Sequence, residues 1–299
     1  MIMINNNLRI FIQVAEKGSF TLVANERFIS QPAVSRAIKA LEDELNVKLF
    51  YRDKRNGLIL TDAGNNILHL AIQMEDLENR IYQTAYRDNH FLGGKARIAS
   101  LPILTSVILS KAFSRFHNQY PDVTIELVEG SSQEIRKAVE DHQVDFGLTC
   151  TPFGDLDFIS VFNDRILSVE PSSVSTNQSY PLLNTTNRYI MCEAVYETLM
   201  EKLKSQKINL ENSFVVQQAE TVINLVNQGN GVGVISEHVL NATPNNLVRH
   251  EVIPPVELEI GLVANDLNDL TPVASKLLET TLEVCKEYAV SNGSHVNHN

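Results

Sequence analysis

The stretch from residue 19 to residue 36 constrains this chain most, because it predicts two short helices joined by a tight turn. Ser30 is a typical helix N-cap, and Pro32 suits the first turn of a helix, where its missing N–H is not needed. The residues that follow at helical spacing predict one apolar stripe, made of Val34, Ile38, Leu41 and Leu45. This pattern is typical of a helix-turn-helix whose second helix enters a DNA groove. Taken alone, it would also fit an ordinary amphipathic helix with a solvated polar face.

The segments around these two helices favour a small DNA-binding domain. Gly18 and Ser19 predict the end of a preceding helix and the cap of the next one. The core of the domain is expected to contain Leu8, Phe11, Ile12, Ala15, Phe20, Val23, Ala24 and Phe28. The remaining faces of the second helix are then free for DNA, and its candidate contact residues are Ser30, Gln31, Pro32, Ala33, Ser35, Arg36 and Lys39.

A two-stranded wing is predicted after the second helix, because apolar residues at 49–50 and 58–60 flank a polar tip. Arg52, Lys54 and Arg55 on this wing are expected to contact phosphate groups, which strengthen binding without reading the base sequence. Thr61 ends the wing. It is expected to cap the next helix and is also included among the DNA-binding residues.

These features make residues 5–64 resemble the winged helix-turn-helix of LysR-type transcriptional regulators. The matching pieces lie in order and at close spacing: Gly18-Ser19-Phe20, Ser30 to Arg36, Leu41-Glu42, Leu49-Phe50 and Leu60-Thr61 with Ala63-Gly64. Val23 and Asn46 depart from the family pattern, which usually has Ala and Gly there. Since Asn tolerates left-handed backbone, the turn at residue 46 is expected to survive. The resemblance implies a DNA-binding domain over residues 1–62.

A long helix is predicted next, over residues 63–92, which would link the two halves of the chain. Its apolar residues recur at alternating spacings of three and four and form a heptad seam of Ile67, Leu70, Met74, Leu77 and Ile81. In LysR-type regulators the corresponding helix pairs two subunits, so the resemblance implies a homodimer, with a homotetramer as the family's usual assembly. Packing of the seam on the chain's own domain is the alternative.

Strand-like and helix-like segments alternate from residue 93 to residue 290 and predict an α/β fold. Their order over residues 96–150 indicates a parallel, doubly wound sheet, with a final helix over residues 272–288. This half resembles the family's effector domain, which consists of two α/β lobes like those of periplasmic solute-binding proteins. The resemblance implies lobe I at about residues 93–162 and 265–290, and lobe II at about residues 163–264.

A ligand of an open α/β sheet binds at the carboxyl ends of the strands, where helix N-termini converge. The N–H groups there suit an anion such as a carboxylate, whereas Glu193 would favour a cation or a hydroxyl group, so the charge of the ligand stays open. Helix capping is the alternative role of each Ser or Thr. The candidate effector-binding residues, some of them implied by the resemblance, are Ser100, Leu101, Pro102, Ser131, Thr149, Glu193 and Thr221.

The distribution of charge agrees with this division. Residues 1–90 contain eleven Lys or Arg and eleven Asp or Glu, so the whole net charge of −11 lies in residues 91–299. The acidic excess therefore lies away from the DNA-binding module, where it favours solubility and repels phosphate backbone.

Other classes of protein fit the sequence less well. No apolar run reaches the roughly 18 residues of a membrane span, and no signal peptide is expected. Three cysteines far apart in sequence predict a reducing, cytoplasmic setting. No catalytic or metal-binding motif occurs, so we expect no enzyme activity, metal or cofactor; the glycines of residues 229–233 follow a helix, unlike a phosphate loop. Residues 291–299, with His295 and His298, are expected to form a disordered tail.

The sequence therefore predicts a ligand-responsive, sequence-specific transcription regulator. Its expected partners are double-stranded operator DNA, a small-molecule effector, further copies of the chain and RNA polymerase. The alternative is an architectural, nucleoid-binding protein without a ligand response. A regulator would give a discrete footprint, whereas an architectural protein would bind diffusely.

Overall fold

The computed structural model describes residues 5–53, 57–87, 94–173, 180–182, 188–204, 210 and 212–292. The chain forms two compact units. Residues 1–92 with 141–143 make the N-terminal unit, and residues 93–140 with 144–299 make the C-terminal unit. Among the described helices, none combines the length and the apolar character that crossing a membrane would require.

The N-terminal unit is mainly helical and carries one β-hairpin. Its elements are α1 (Asn6–Lys17), α2 (Phe20–Glu26), α3 (Gln31–Leu45), β1 (Phe50–Asp53), β2 (Gly57–Leu60) and α4 (Asp62–Arg87). Gly18 ends α1 with a φ of 61°, and the Ser19 hydroxyl caps α2 by accepting from the Leu22 N–H at 3.3 Å. Asn46 ends α3 in the left-handed region, with a φ of 53°. These three predictions from local sequence are confirmed.

Three local predictions in this unit are wrong. Ser30 lies at the N-cap position of α3, but its side chain makes no capping hydrogen bond. Phe28 is 94% exposed rather than buried, with a φ of 55° in the turn after α2. The chain has left helix α2 at that point, so the helical spacing that would have directed Phe28 into the core no longer applies. Leu45 is also largely exposed, because the last turn of α3 extends past the core.

Aromatic packing joins the hairpin to the helices of the N-terminal unit. The Phe50 ring of β1 stands edge-on to Phe11 and Phe20, with centroid distances of 5.5 and 6.2 Å. Such edge-on pairs contribute about 0.5–1.5 kcal/mol each beyond their buried area. The helix α4 is held to α1 by an ion pair between Arg9 and the buried carboxylate of Glu78. Hairpin and long helix are thus both fixed to the same small core.

The C-terminal unit is built on a ten-stranded sheet. Its strands are β3 (Gly94–Ser100), β4 (Val123–Glu129), β5 (Phe146–Cys150), β6 (Asp157–Pro171), β7 (Tyr180–Pro181), β8 (Tyr189–Cys192), β9 (Phe214–Val216), β10 (Val232–Ser236), β11 (Leu247–Ile253) and β12 (Glu257–Ala264). Its helices are α5 (Pro102–Leu104), a π-helical turn (Thr105–Leu109), α6 (Ser110–Gln119), α7 (Ser132–Glu140), α8 (Glu193–Lys202), α9 (Ala219–Asn227), α10 (Glu237–Ala242) and α11 (Pro272–Ser291).

Three strands pair in parallel at each end of the sheet, and the strands between them pair antiparallel. Parallel pairing joins β4, β3 and β5 in one lobe and β10, β8 and β9 in the other. The long strand β6 connects them, since it pairs antiparallel with β12 over residues 157–165 and with β10 over residues 166–169. The prediction of a parallel sheet thus holds for these two groups of three strands, and the whole sheet is mixed.

Three boundaries differ from the sequence prediction. Strand β12 pairs with β5, so it belongs to lobe I and the predicted lobe boundary after residue 264 is wrong. The spacing of apolar residues predicts a helix over residues 106–120, but helical backbone already begins at Pro102. Helix α11 continues to Ser291, and residues 293–299 of the predicted tail, with both histidines, lie outside the described residues.

Candidate functional site

The exposed face of α3 carries the polar residues that the sequence assigned to DNA. Gln31, Ser35, Arg36 and Lys39 are all exposed, while Val34 and Ile38 are buried on the opposite face. The Arg36 Nε donates to the Pro32 carbonyl oxygen at 3.3 Å. Within the described part of the chain neither Arg36 nor Lys39 pairs with a carboxylate. Both cations are therefore available to an external anion.

The buried carboxylate of Glu42 fixes α3 to the hairpin, a role that sequence reasoning did not assign. Its Oε1 accepts from the Leu49 N–H at 2.9 Å, and its Oε2 accepts from Lys48 Nζ at 2.6 Å. Burial raises the pKa of Glu42, but these hydrogen bonds outweigh that effect and hold the pKa below its usual value. Glu42 therefore positions the recognition helix relative to the wing.

Thr61 has a structural role at the junction of wing and long helix. Its hydroxyl donates to the Lys48 carbonyl oxygen at 2.6 Å and accepts from the Gly64 N–H at 2.8 Å. This confirms the predicted cap of α4 and gives the hydroxyl two partners within the protein. Gly64 is required there, because a Cβ at this residue would lie 2.2 Å from the Leu49 carbonyl oxygen.

The predicted wing is present as the antiparallel pair β1 and β2. Its strands are among the described residues, whereas residues 54–56 at its tip are not. Lys54 and Arg55 lie outside the described residues, and only the backbone of Arg52 is described. Their contacts with phosphate groups stay predictions.

The heptad seam of α4 divides into two parts. Ile67 packs partly buried against the core of the N-terminal unit, as the alternative interpretation of the seam expected. The other four seam residues are each about half exposed or more: Leu70, Met74, Leu77 and Ile81. A row of large apolar side chains on one helix face is costly in water unless another surface covers it. Pairing with a second copy stays a prediction.

A cleft of about 450 Å³ lies in the C-terminal unit, within the range typical of small-molecule sites. Both lobes line it, and five helical segments contribute residues from their N-terminal ends: α5, α7, α8, α9 and α10. The cleft thus lies at the carboxyl ends of parallel strands, where ligands of open α/β sheets bind.

The structure brings some of the predicted effector-binding residues to this cleft and not others. Leu101, Pro102, Ser131 and Glu193 line it. Three more predicted residues are absent from its described lining: Ser100, Thr149 and Thr221. Ser100 and Thr149 are fully buried in β3 and β5, because alternate residues of a strand face opposite sides of the sheet. The Thr221 N–H donates to the Gln218 carbonyl oxygen at 3.2 Å.

Carboxyl groups dominate the charge of the cleft. Its acidic lining residues are Glu129, Glu134, Asp164, Glu193 and Glu220, and no Lys or Arg occurs among its described lining residues. The sequence analysis found only one of these five, because the other four are up to 91 positions apart and only the fold brings them together.

Ser131 and Glu134 form a reciprocal cap at the start of α7. The Glu134 Oε2 accepts from the Ser131 N–H at 2.8 Å, and the Ser131 hydroxyl accepts from the Glu134 N–H at 3.3 Å. The hydrogen bond from the Ser131 backbone is the main reason that the pKa of Glu134 lies below its usual value. Helix capping, the alternative role of Ser131, is thus observed, and the residue also faces the cleft.

Asp164 is the one deeply buried carboxyl group among the described residues of the cleft. Burial raises its pKa to about 7, although its Oδ1 accepts from the His238 N–H at 3.1 Å. The His238 ring also contacts Tyr288 of α11, with its Nδ1 at 3.0 Å from the tyrosine oxygen. Burial lowers the pKa of His238, so this imidazole is neutral at pH 7 and adds no positive charge.

Two cysteines at the floor of the cleft are poorly suited to redox chemistry. Burial raises the pKa of Cys150 to about 12 and raises that of Cys192 as well. The Cys150 Sγ lies 3.3 Å from the Ser132 hydroxyl. Both thiols are protonated at neutral pH, and only the thiolate is reactive. In the described ranges, no cluster of three or more His, Cys, Asp or Glu side chains has an arrangement that could hold a metal ion.

Family models match both units. Residues 5–65 match the bacterial regulatory helix-turn-helix of the lysR family, and residues 90–286 match the LysR substrate binding domain. The chain is 40% identical over 283 residues to the uncharacterized HTH-type transcriptional regulator YoaU of Bacillus subtilis, covering 93% of this chain and 98% of YoaU. It is 28% identical to YvbU of the same organism, over 93% of this chain and 97% of YvbU.

Solved structures agree on the fold. A full-length, singly substituted OxyR from Pseudomonas aeruginosa superposes with a TM-score of 0.74 over all of both chains, at 18% identity. CbnR, a LysR family transcriptional regulator, superposes with a TM-score of 0.62 over 94% of this chain and 98% of that chain, at 17% identity. The exposed recognition helix, the substrate-binding fold and the family matches together establish that this chain belongs to the LysR family of DNA-binding transcriptional regulators.

Proposed function

We propose that this protein regulates transcription at specific operators and that a small molecule bound in the cleft of its C-terminal unit controls this activity. The observation that carries the proposal is the presence, in one chain, of exposed cations on α3 that pair with no described carboxylate and of a cleft of about 450 Å³. A purely architectural protein would need the first feature and not the second.

The residues of the N-terminal unit take two roles in this proposal. Gln31, Ser35 and Arg36 lie early in α3 and are exposed, so they read base edges, as the first turns of a recognition helix do. Lys39 and the wing cations Arg52, Lys54 and Arg55 contact phosphate groups. Thr61 supports the wing from inside rather than touching DNA.

Two copies of the chain bind one operator in this proposal. The exposed seam of α4 supports a homodimer, because pairing would remove four large apolar side chains from water. A homotetramer and contact with RNA polymerase are extensions of the same proposal. The effector acts by favouring one arrangement of the lobes, which shifts the equilibrium between two states of the dimer.

The test is selection of bound fragments from the source genome, followed by footprinting at physiological salt. A discrete, imperfectly palindromic site is expected. The Arg36→Ala variant is expected to lose about ten- to a hundredfold in operator affinity, while its unfolding midpoint stays unchanged. Lys137→Ala, which removes an exposed cation from α7 of the C-terminal unit, serves as the control. Diffuse, salt-labile binding without a site would favour the architectural alternative.

A further inference from the structure

We propose that the cleft binds a small organic cation, a primary amine on an apolar skeleton, rather than a carboxylate. This inference rests on the proposed function, because it names the chemical class of the effector that the same cleft would take. It reverses the suggestion of an anionic ligand that follows from helix N-termini alone.

The first argument is the charge of the lining. Glu129 and Glu134 come from lobe I, whereas Glu193 and Glu220 come from lobe II, so carboxylates of both lobes face the same space. No lysine or arginine in the described lining offsets them. A concave site lined by one sign of charge concentrates ligands of the opposite sign.

The second argument is that three of these carboxylates form no described hydrogen bond or ion pair. Glu129, Glu193 and Glu220 have no hydrogen-bond or ion-pair partner within the described residues, whereas Glu134 is occupied by its cap. Three unpaired like charges around one cleft repel one another, more strongly once a ligand excludes water. A bound cation would remove this repulsion, and a bound anion would add to it.

The third argument concerns the helix N-termini that would otherwise attract an anion. The first turn of α7 contains Glu134, that of α8 contains Glu193, and that of α9 contains Glu220. A carboxylate in the first turn neutralises the positive end of a helix. These three N-termini are therefore already matched by the protein's own anions.

The uncharged residues that line the cleft indicate the structure of the ligand beyond its ammonium group. Its apolar residues form a substantial surface and include Leu101, Ile103, Val107, Val195, Leu258 and Ile260. The described lining contains no Phe, Tyr or Trp, so it lacks the aromatic cage that quaternary ammonium groups require. A primary ammonium group instead offers three N–H donors, which suits carboxylate acceptors. An alkyl or similar apolar chain would fill the apolar part.

The test uses the full-length protein and matched sets of small molecules that differ only in their polar group. The sets are pentylamine, pentanol and pentanoate; hexylamine, hexanol and hexanoate; and cadaverine, pentanediol and glutarate. Binding is measured by calorimetry and by the shift of the thermal unfolding midpoint. We expect at least one amine to bind tenfold or more tightly than the alcohol and carboxylate of its set.

Three variants assign the binding to the cleft. Glu193→Gln and Glu220→Gln each remove one unpaired carboxylate and are expected to weaken amine binding about tenfold. Glu201→Gln removes the same charge from an exposed position of α8 outside the cleft lining and is expected to leave binding unchanged. An equal loss in all three variants would mean that the amine responds to net charge alone, which overturns the inference.

The other outcomes are also decisive. A carboxylate that binds more tightly than its amine, an alcohol that binds equally well, or a complete lack of amine binding overturns the cation inference. Footprinting of the same preparation separates this failure from that of the proposed function. If the discrete operator footprint persists, only the ligand class is wrong; if it is missing as well, the regulator itself is in question.

Discussion

The N-terminal unit and the C-terminal cleft differ in the sign of the charged side chains that have no described partner. In the N-terminal unit the acidic groups Glu42 and Glu78 are buried and paired with Lys48 and Arg9, while Arg36, on the outside, pairs with no described carboxylate. In the cleft the unpaired groups are carboxylates on a concave surface. In each unit, the charge that has no described partner is opposite to the charge of the ligand proposed for that unit, DNA for the first and an amine for the second.

The strongest test of this comparison breaks the proposed dimer and then measures operator binding and ligand binding separately. Leu70→Glu with Leu77→Glu places charges on the exposed seam of α4, so the dimer is expected to dissociate in light scattering. Operator affinity is then expected to fall by about a hundredfold or more, because two linked half-sites become one. Ligand binding in the cleft is expected to persist, since the described lining residues belong to the C-terminal unit and the seam belongs to the N-terminal unit.

A double variant at two exposed apolar residues of the C-terminal unit, Met200→Glu with Val290→Glu, controls for the added charge. It is expected to keep both the mass and the operator affinity. A seam variant that remains a dimer would contradict the assignment of α4 as the pairing helix.

The next largest effect concerns the buried carboxyl group of the cleft. Asp164 has a pKa of about 7 in the folded protein, against 3.8 in the unfolded chain, so the native state holds its proton more tightly. Its contribution to stability is present at low pH and is lost as the pH rises from about 4 to about 7, by up to about 4 kcal/mol. Asp164→Asn is expected to flatten this part of the stability profile.

The measurement is the free energy of unfolding of the C-terminal unit, followed by circular dichroism in urea at a series of pH values. Asp155→Asn, at an exposed position, is the control and is expected to follow the wild-type profile. An Asp164→Asn profile with the original slope would show that another group titrates.

A smaller effect is expected when one of the paired charges of the N-terminal unit is removed. Glu42→Gln keeps one acceptor for the Leu49 N–H but loses the charge, so the unit is expected to lose about 1.5–3 kcal/mol. Because hydrogen bonds hold the pKa of Glu42 low, its contribution is present at neutral pH and is lost as the pH falls through the folded-state pKa. Hydrogen exchange at Leu49 and Phe50 measures the loss locally.

Glu44→Gln, on the exposed side of the same helix, is the matched control and is expected to change stability by less than about 0.5 kcal/mol. Normal protection of the hairpin amides in the Glu42→Gln variant would rule out the bridging role.

The smallest effect concerns the turn before α3. Phe28 adopts a left-handed conformation with its ring in solvent, which costs roughly 1 kcal/mol for an ordinary residue. Phe28→Asn is expected to recover about that amount, because Asn tolerates this conformation. Phe28→Leu, which retains the strain, is the control in the same urea titration. A lower free energy of unfolding for Phe28→Asn would mean that the Phe28 ring makes a stabilising contact despite its exposure.

Local sequence predicted the N-terminal unit in detail because its determinants are neighbours in the chain. Caps, the left-handed Asn46 and the apolar face of α3 depend on residues within a few positions of each other. The failures there have the same physical origin. Ser30 and Phe28 lie at the edges of helices, where periodicity ends and the path of the chain depends on packing.

The cleft could be predicted only in outline. Alternating strands and helices indicate where loops converge, and Leu101, Pro102 and Ser131 were found in this way, whereas Glu193 was implied by the family resemblance. Which residues of each strand face the cleft depends on register, and that is why Ser100 and Thr149 turned out to be buried on the sheet. The lobe boundary failed for a related reason, since β12 returns to pair with β5.

The sequence by itself determined the family, the two-part organisation and the recognition helix, because short-range spacing encodes each of them. The tertiary structure alone decided the character of the cleft. Glu129 and Glu220 lie 91 positions apart in the chain, and no local pattern relates them. The long strand β6 pairs with β12 on one side and with β10 on the other and so joins the lobes that carry these residues. Their proximity in the fold is the basis of the proposed preference for a cation.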